Sequence, residues 1–145
     1  MTIAVRSLTV SDFDALKNVA DGVFDDPLVP SSAKSFLKNQ DNYLVVAVDE
    51  DNADRVVGFA SAVKYLHPDK EKPEMVVLEI GVAPPYRQQG AGKKIMNAML
   101  AEAKKSGCRV AWLATEPDNV AALALYKAAG GKPPETCIHI DFDLD

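Results

Sequence analysis

The sequence predicts a single α/β domain of mixed α+β type, with a central mixed antiparallel and parallel sheet flanked by helices. Three observations predict it. The chain has 145 residues, enough for one hydrophobic core and too few for two. Apolar runs of strand length alternate with stretches whose apolar residues recur at helical spacing. Proline and glycine punctuate the joints, and no repeat, low-complexity segment or linker intervenes, so residues 1–145 read as one domain. The element order is β-α-α-β-β-β-α-β-α-β, which implies one sheet covered by helices.

Ile3, Val5 and Leu8 mark a leading strand. Ser11 and Asp12 are helix N-cap types, followed by Phe13, Leu16, Val19 and Ala20 at helical spacing. Asp25 to Pro30 is a loop, and Ser31 or Ser32 caps a short helix through Lys38. Tyr43 to Val48 and Val56 to Tyr65 are strands joined by the polar turn Asp49 to Asp54, an antiparallel hairpin. His67 to Pro73 is a charged loop, and Met75 to Val82 is a third strand ended by Pro84-Pro85. Ile95, Met96, Met99, Leu100 and Ala103 line one helix face, with Gly107 as its stop. Val110 to Ala114 is a strand. Asp118 or Asn119 caps a helix whose apolar face is Ala122, Leu125, Tyr126 and Ala129, ended by Gly130-Gly131. Thr136 to Leu144 is a final strand.

Hydrophobic residues make up 48% and charged residues 26%, a globular composition that argues against wholesale disorder. The net charge of −5 argues against a general nucleic-acid binder, which would be basic. The charge is uneven. From Arg87 to Arg109 six basic residues meet one acid, Glu102, so this stretch carries +5 and the remainder −10. Met1 to Val10 holds no signal-peptide core, and no apolar run approaches the roughly 20 residues that span a bilayer. Cys108 and Cys137 lie in strand-like runs without metal-like spacing, so buried thiols and a cytoplasmic location are expected, with no metal and no membrane partner.

The most informative stretch is Val82-Ala83-Pro84-Pro85-Tyr86-Arg87-Gln88-Gln89-Gly90-Ala91-Gly92-Lys93-Lys94, between a strand and an amphipathic helix. Gly90 and Gly92 remove side chains where the helix begins and where its first N–H groups lack intrahelical partners. Those donors and the helix dipole suit an anion such as a pyrophosphate, and Arg87 and the lysines add positive charge. The stretch is neither a P-loop nor the GxGxxG fingerprint.

Arg87-Gln88-Gln89-Gly90-Ala91-Gly92 resembles the R/Q-x-x-G-x-G/A element of the GNAT superfamily of N-acetyltransferases, preceded as that family expects by a strand ending in Val82-x-Pro84. Asn119-Val-Ala-Ala-Leu-Ala-Leu-Tyr126-Lys-Ala-Ala-Gly130 is similar to its N-x-x-A-x-x-L-Y-x-x-x-G helix. The element order agrees over nearly the whole chain, which makes it resemble a single GNAT-like domain. The resemblance implies acetyl-CoA as cofactor. On it, the backbone of Gln88, Gln89, Gly90, Ala91, Gly92 and Lys93 cradles the pyrophosphate. Ile80, Gly81 and Val82 bond the pantetheine arm like an added strand, an N–H near Gly81 or Val82 polarises the thioester carbonyl, and Asn119 contacts the pantetheine.

The resemblance also makes Tyr126 the acid that protonates the leaving thiolate. A phenol of reference pKa about 10 is protonated at neutral pH and can donate to a thiolate of reference about 8.5. The bland alternative is a packing aromatic. Glu79 is a carboxylate in an apolar strand, and alternation places Val77, Glu79 and Gly81 on one face. Burying a charge without a partner is costly, so Glu79 faces a cleft or a cation. It is the candidate substrate-amine ligand and general base, the alternative being a cross-strand ion pair with Lys64. Tyr65 to Val82 and the ending His139-Ile-Asp141-Phe-Asp143 resemble the aminoglycoside 3-N-acetyltransferase branch of the family. That likeness implies that Glu79, Asp141 and Asp143 hold a cationic aminosugar or polyamine.

The resulting expectation is acetyl-CoA-dependent N-acetylation of a primary amine on a cationic small molecule. The alternatives are a protein or peptide N-acetyltransferase and a non-catalytic acyl-CoA-binding module. Family likeness also implies a homodimer, with Thr136 to Leu144 as the contact.

Overall fold

The computed structural model describes residues 1–145. Five strands form one sheet in sequence order: β1 (Ile3–Leu8), β2 (Asn42–Asp49), β3 (Arg55–Tyr65), β4 (Glu74–Val82) and β5 (Val110–Trp112). The first four are antiparallel, and β5 runs parallel to β4. Three α-helices accompany them: α1 (Pro30–Lys38), α2 (Ala91–Lys105) and α3 (Val120–Ala128). No helix is long and apolar enough to cross a membrane.

Each face of the sheet has its own core. On one, Val45, Ala47, Val57, Met75 and Val77 pack against Ile95, Met96 and Met99 of α2. Ile95, Met75 and Met99 are fully buried, each contributing about 1.5–3 kcal/mol of transfer free energy. On the other face, Leu44, Val46, Val48, Val56 and Phe59 meet Leu16, Val23 and Ala83, with Phe13, Leu28 and Phe36 packed outside them.

Several local expectations change. The segment after β1 is a 3₁₀ helix, Val10–Lys17, rather than an α-helix, and it starts at Thr9, whose N–H bonds the Asp12 carboxylate at 2.8 Å. Val19 and Ala20 leave that helix because their backbone joins the sheet, Ala20 N–H donating to Val56 O at 2.8 Å. Helix α1 begins at Pro30, earlier than Ser31 or Ser32, since proline at the first position has no N–H to leave unpaired. The polar turn tightens into a 3₁₀ turn, Glu50–Asn52, followed by Ala53 and Asp54 at φ 54° and 53°.

The final strand is not formed. Residues 132–145 have no regular structure, and Ile138, Ile140, Phe142 and Leu144 are 87%, 67%, 81% and 94% exposed. Their alternation is a strand pattern without a partner, and a strand is stable only within a sheet. The expected buried thiols follow suit: Cys108 is half-buried and Cys137, in this tail, is exposed.

One extra residue decides where Glu79 points. Ala62 pairs with Val77, but Ser61 pairs with Glu79, so Leu78 is bulged out of the β3–β4 ladder. The slip sends Glu79 and Gly81 to the face opposite Val77, against the simple alternation. Gly81 is needed there. A Cβ on it would lie 2.4 Å from the Val23 carbonyl oxygen, in the loop that crosses β4 from this side. Phe24 of the same loop packs on Phe59, ring centroids 4.2 Å apart.

The start of β5 is tied to the sheet by Glu74. This buried carboxylate accepts from Tyr65 Oη at 3.0 Å and pairs with Arg109, and His67 Nε2 stands 3.4 Å away. Burial pushes its pKa up, but the bonds from Tyr65, Arg109 and His67 outweigh burial and hold it below the usual carboxyl value. Trp112 Nε1 completes the cluster by donating to Tyr65 Oη at 2.5 Å.

Gly81→Ala is expected to destabilise the fold by about 1–3 kcal/mol, because the Val23 loop must lift off β4. Thermal denaturation of the variant beside the wild-type chain measures it.

Candidate functional site

β4 and β5 pair only through Glu74–Val110, Met75–Ala111 and Val76–Trp112. Beyond Trp112 the chains diverge, Leu113, Ala114 and Thr115 leaving on one side while β4 continues to Val82 on the other. A cavity of about 840 Å³ opens in that fork. Ala83 N–H bonds Val57 O at 2.8 Å. Since successive amides of a strand point to opposite edges, the N–H groups of Ile80 and Val82 face the fork, and that of Gly81 faces β3. Of the two amides expected to polarise the carbonyl, that of Val82 faces the fork and that of Gly81 does not.

The floor of the cavity is the turn into α2. Pro84–Tyr86 is a 3₁₀ turn, Gln88 has φ 60°, and Gly90 caps α2 with φ 84°. The first helical bond runs from Lys94 N–H to Gly90 O, so the amides of Ala91, Gly92 and Lys93 have no partner four residues back. A Cβ on Gly90 would meet nothing within 4 Å, leaving room for a ligand above the amides. Gly92 serves packing instead. A Cβ there would press on Leu125 Cδ2 at 3.2 Å, so the missing side chain lets α3 come close. Arg87 Nε donates to Val82 O at 2.9 Å, binding the turn to the strand end. An open amide cradle beside Arg87 and Lys93 fits a pyrophosphate.

The wall opposite is α3. Asn119 Oδ1 accepts Ala122 N–H at 3.1 Å and so caps the helix, which leaves its amide NH₂ free. Tyr126 lines the cavity, half-buried, and burial pushes its phenol pKa above 10.

Of the expected site residues, the cavity brings together Glu79 to Val82 on β4, Arg87, Gln88, Gly90, Gly92 and Lys93 on the turn, and Asn119 and Tyr126 on α3. Gln89 and Ala91 lie in the turn with their side chains away from it. The Gln89 amide donates to Pro85 O at 3.0 Å, and Ala91 is buried. Glu79 is exposed to the cavity and accepts from Ser61 Oγ at 3.3 Å, while Lys64 pairs with Asp41. Asp141 and Asp143 are not among the lining residues; both sit in the exposed tail, where Asp141 pairs with His139 at 3.2 Å.

Sequence reasoning missed Asp25. It lies in the loop that crosses Gly81, and it and Glu79 are the only acids lining the cavity. The sequence marks Asp25-Asp26-Pro27 as a loop and nothing more, because what the loop covers is decided by the tertiary fit of Val23 on Gly81.

The acetyltransferase (GNAT) family model matches residues 6–130. The chain is 30% identical over 127 residues to the [ribosomal protein bS18]-alanine N-acetyltransferase of Escherichia coli K12, covering 87% of this chain and 78% of that one. Among solved structures, the aminoglycoside acetyltransferase meta-AAC0020 from an uncultured soil metagenomic sample, in complex with sisomicin, superposes with a TM-score of 0.83 at 18% identity, covering 99% of this chain and 97% of that one. AAC(6')-Iy in complex with the bisubstrate analogue CoA-S-monomethyl-acetylneamine gives a TM-score of 0.78 at 18% identity, over 99% of this chain and 100% of that one. At this identity the two structures establish the shared fold, and the family match establishes the rest. The chain belongs to the GNAT family of acetyltransferases, and its activity is acetyl-CoA-dependent N-acetyl transfer.

Proposed function

We propose that this enzyme acetylates a primary amine that enters as a cation between Asp25 and Glu79. The observation that carries the reading is that Asp25 and Glu79 are the cavity's two acids, with Glu79 turned by the bulge to the face of β4 that the Val23 loop crosses. A polycationic small molecule of the aminosugar or polyamine class engages both carboxylates at once. Bound acetyl-CoA supplies the acetyl thioester. The Ala91 to Lys93 amides with Arg87 and Lys93 hold its phosphates, and the fork edge of Ile80 and Val82 takes its pantetheine.

The chain's own groups then have separate roles. Glu79, directly or through water, takes the proton that the ammonium must lose before nitrogen attacks. The Val82 N–H steadies the negative charge that develops on the carbonyl oxygen. As the C–N bond forms and the C–S bond breaks, the Tyr126 hydroxyl would give its proton to the departing thiolate, and the second proton that the nitrogen sheds, relayed through water, would restore the phenol. The raised pKa of Tyr126 keeps that proton in place at neutral pH.

A second reading is acetylation of a protein N-terminus. It is favoured by exposed Leu78, which lines the cavity beside Glu79, and by the bS18-alanine activity named for the relative of 30% identity. A thiol-release assay with acetyl-CoA against aminoglycosides, polyamines and Ala-starting peptides separates the two. Turnover confined to peptides overturns the small-amine reading, and no turnover on any amine overturns both.

We also propose a cytoplasmic homodimer. Two free cysteines fit a reducing compartment. The apolar tail gains no burial within its own chain, and β5 has an unpaired outer edge with Val110 and Trp112 exposed. Pro133-Pro134 stiffens the link from α3 and suits exchange of tails between two copies.

Glu79→Gln is expected to lower kcat/KM for the amine by about 10²- to 10⁴-fold; an unchanged kcat/KM refutes the base role. Tyr126→Phe should lower kcat by a similar factor with the acetyl-CoA KM little changed. The raised phenol pKa means that the wild-type acid stays protonated past the ordinary phenol range, so kcat should hold to about pH 10. Light scattering should find a dimer for the full chain at micromolar concentration and a monomer once residues 136–145 are removed.

A further inference from the structure

We infer that Tyr86 and Asp49 form a strut that holds the pyrophosphate turn in its binding shape, which makes both of them positioning residues for the cofactor. The inference rests on the reading of residues 87–93 as the pyrophosphate cradle.

Asp49 closes β2 and is 4% exposed. A carboxylate so enclosed needs partners, and it has two: Oδ1 accepts Asp51 N–H at 3.1 Å, and Oδ2 accepts the Tyr86 hydroxyl at 2.8 Å. The bond from Tyr86 is the main reason the Asp49 carboxyl is held below its usual pKa, and the same bond raises the Tyr86 phenol. The surrounding charges agree with an ionised Asp49. Arg55 is its cross-strand neighbour, and the N-terminal ammonium also lowers its pKa.

The bond spans 37 residues of sequence and joins two parts of the fold that share no strand pairing. Tyr86 ends the 3₁₀ turn that starts at Pro84 and stands directly before Arg87, with its ring on the cavity wall. Apart from this bond, the side-chain hydrogen bonds of the turn stay within its own end of β4: Arg87 to Val82 O and Gln89 to Pro85 O. The turn nevertheless holds Gln88 at φ 60°, a conformation that a non-glycine residue adopts only under support from its surroundings. Tyr86 on Asp49 supplies that support from the end of the β2–β3 hairpin. The Ala91 to Lys93 amides are then arranged before any ligand arrives, and binding does not have to order them.

The test is titration calorimetry with CoA, together with acetyl-CoA kinetics, on Tyr86→Phe, Asp49→Asn and the double variant. Tyr86→Phe keeps the ring and its packing and removes only the donor. It is expected to weaken CoA binding about tenfold and to raise the acetyl-CoA KM alike, with kcat within about twofold of wild type. Asp49→Asn keeps an acceptor and should weaken binding less, and the double variant should bind no worse than Tyr86→Phe alone. A lowered melting temperature with CoA affinity unchanged makes the pair merely structural and overturns the inference. Arg87→Ala separates the underlying reading. If it weakens CoA binding while Tyr86→Phe does not, the strut alone is wrong. If neither variant changes CoA affinity, the turn is not the cradle and the strut falls with it.

Discussion

The cavity of this enzyme, and with it the proposed site, depends on two parallel strands that stop pairing. β4 and β5 share three residue pairs and then part, so the last residues of β4 keep a backbone edge that no strand satisfies. An unmet edge inside a protein is costly unless something polar fills it, and here the fork is wide enough for a ligand arm. The pairing that remains is anchored hard. Glu74 draws Tyr65, His67 and Arg109 together at the very start of the two strands.

The sheet also separates two chemistries. Its α2 side meets the fork through a helix N-terminus, free amides and basic side chains. Its other side meets the fork through Glu79, turned there by the bulge at Leu78, and through the loop of Asp25. The +5 stretch from Arg87 to Arg109 and the −10 remainder thus have a structural basis only in part. Arg87 and Lys93 reach the cavity, whereas Arg109 serves Glu74, and Lys104 and Lys105 close α2 at its far end.

Strands β1 to β4, helices α1 to α3 and the glycine turn before α2 were legible in the sequence because apolar period, prolines and glycines all report local backbone needs. The turn and Tyr126 were legible for the further reason that their spacing matches a family pattern. What escaped was set by tertiary contact. A period of two cannot announce an extra residue, so alternation puts Glu79 on the wrong face, and only its pairing with Ser61 corrects it. Asp25 is invisible without the fit of Val23 on Gly81. Gly92 reads as part of the phosphate site, although its bareness serves Leu125. The alternation from Ile138 to Leu144 reads as a strand, but alternation describes a wish for burial and does not provide the neighbour that grants it.

Helix α3 carries Asn119 and Tyr126, yet none of its residues is buried. It rests on α2 chiefly where Leu125 settles against the bare backbone of Gly92. An element held so lightly belongs to the low end of the local-stability scale, where opening and closing exchange readily. A ligand arm lying in the fork on the proposed reading would touch both walls, β4 and α3. Such a contact would steady α3 and, with it, the Tyr126 side chain that lines the same cavity.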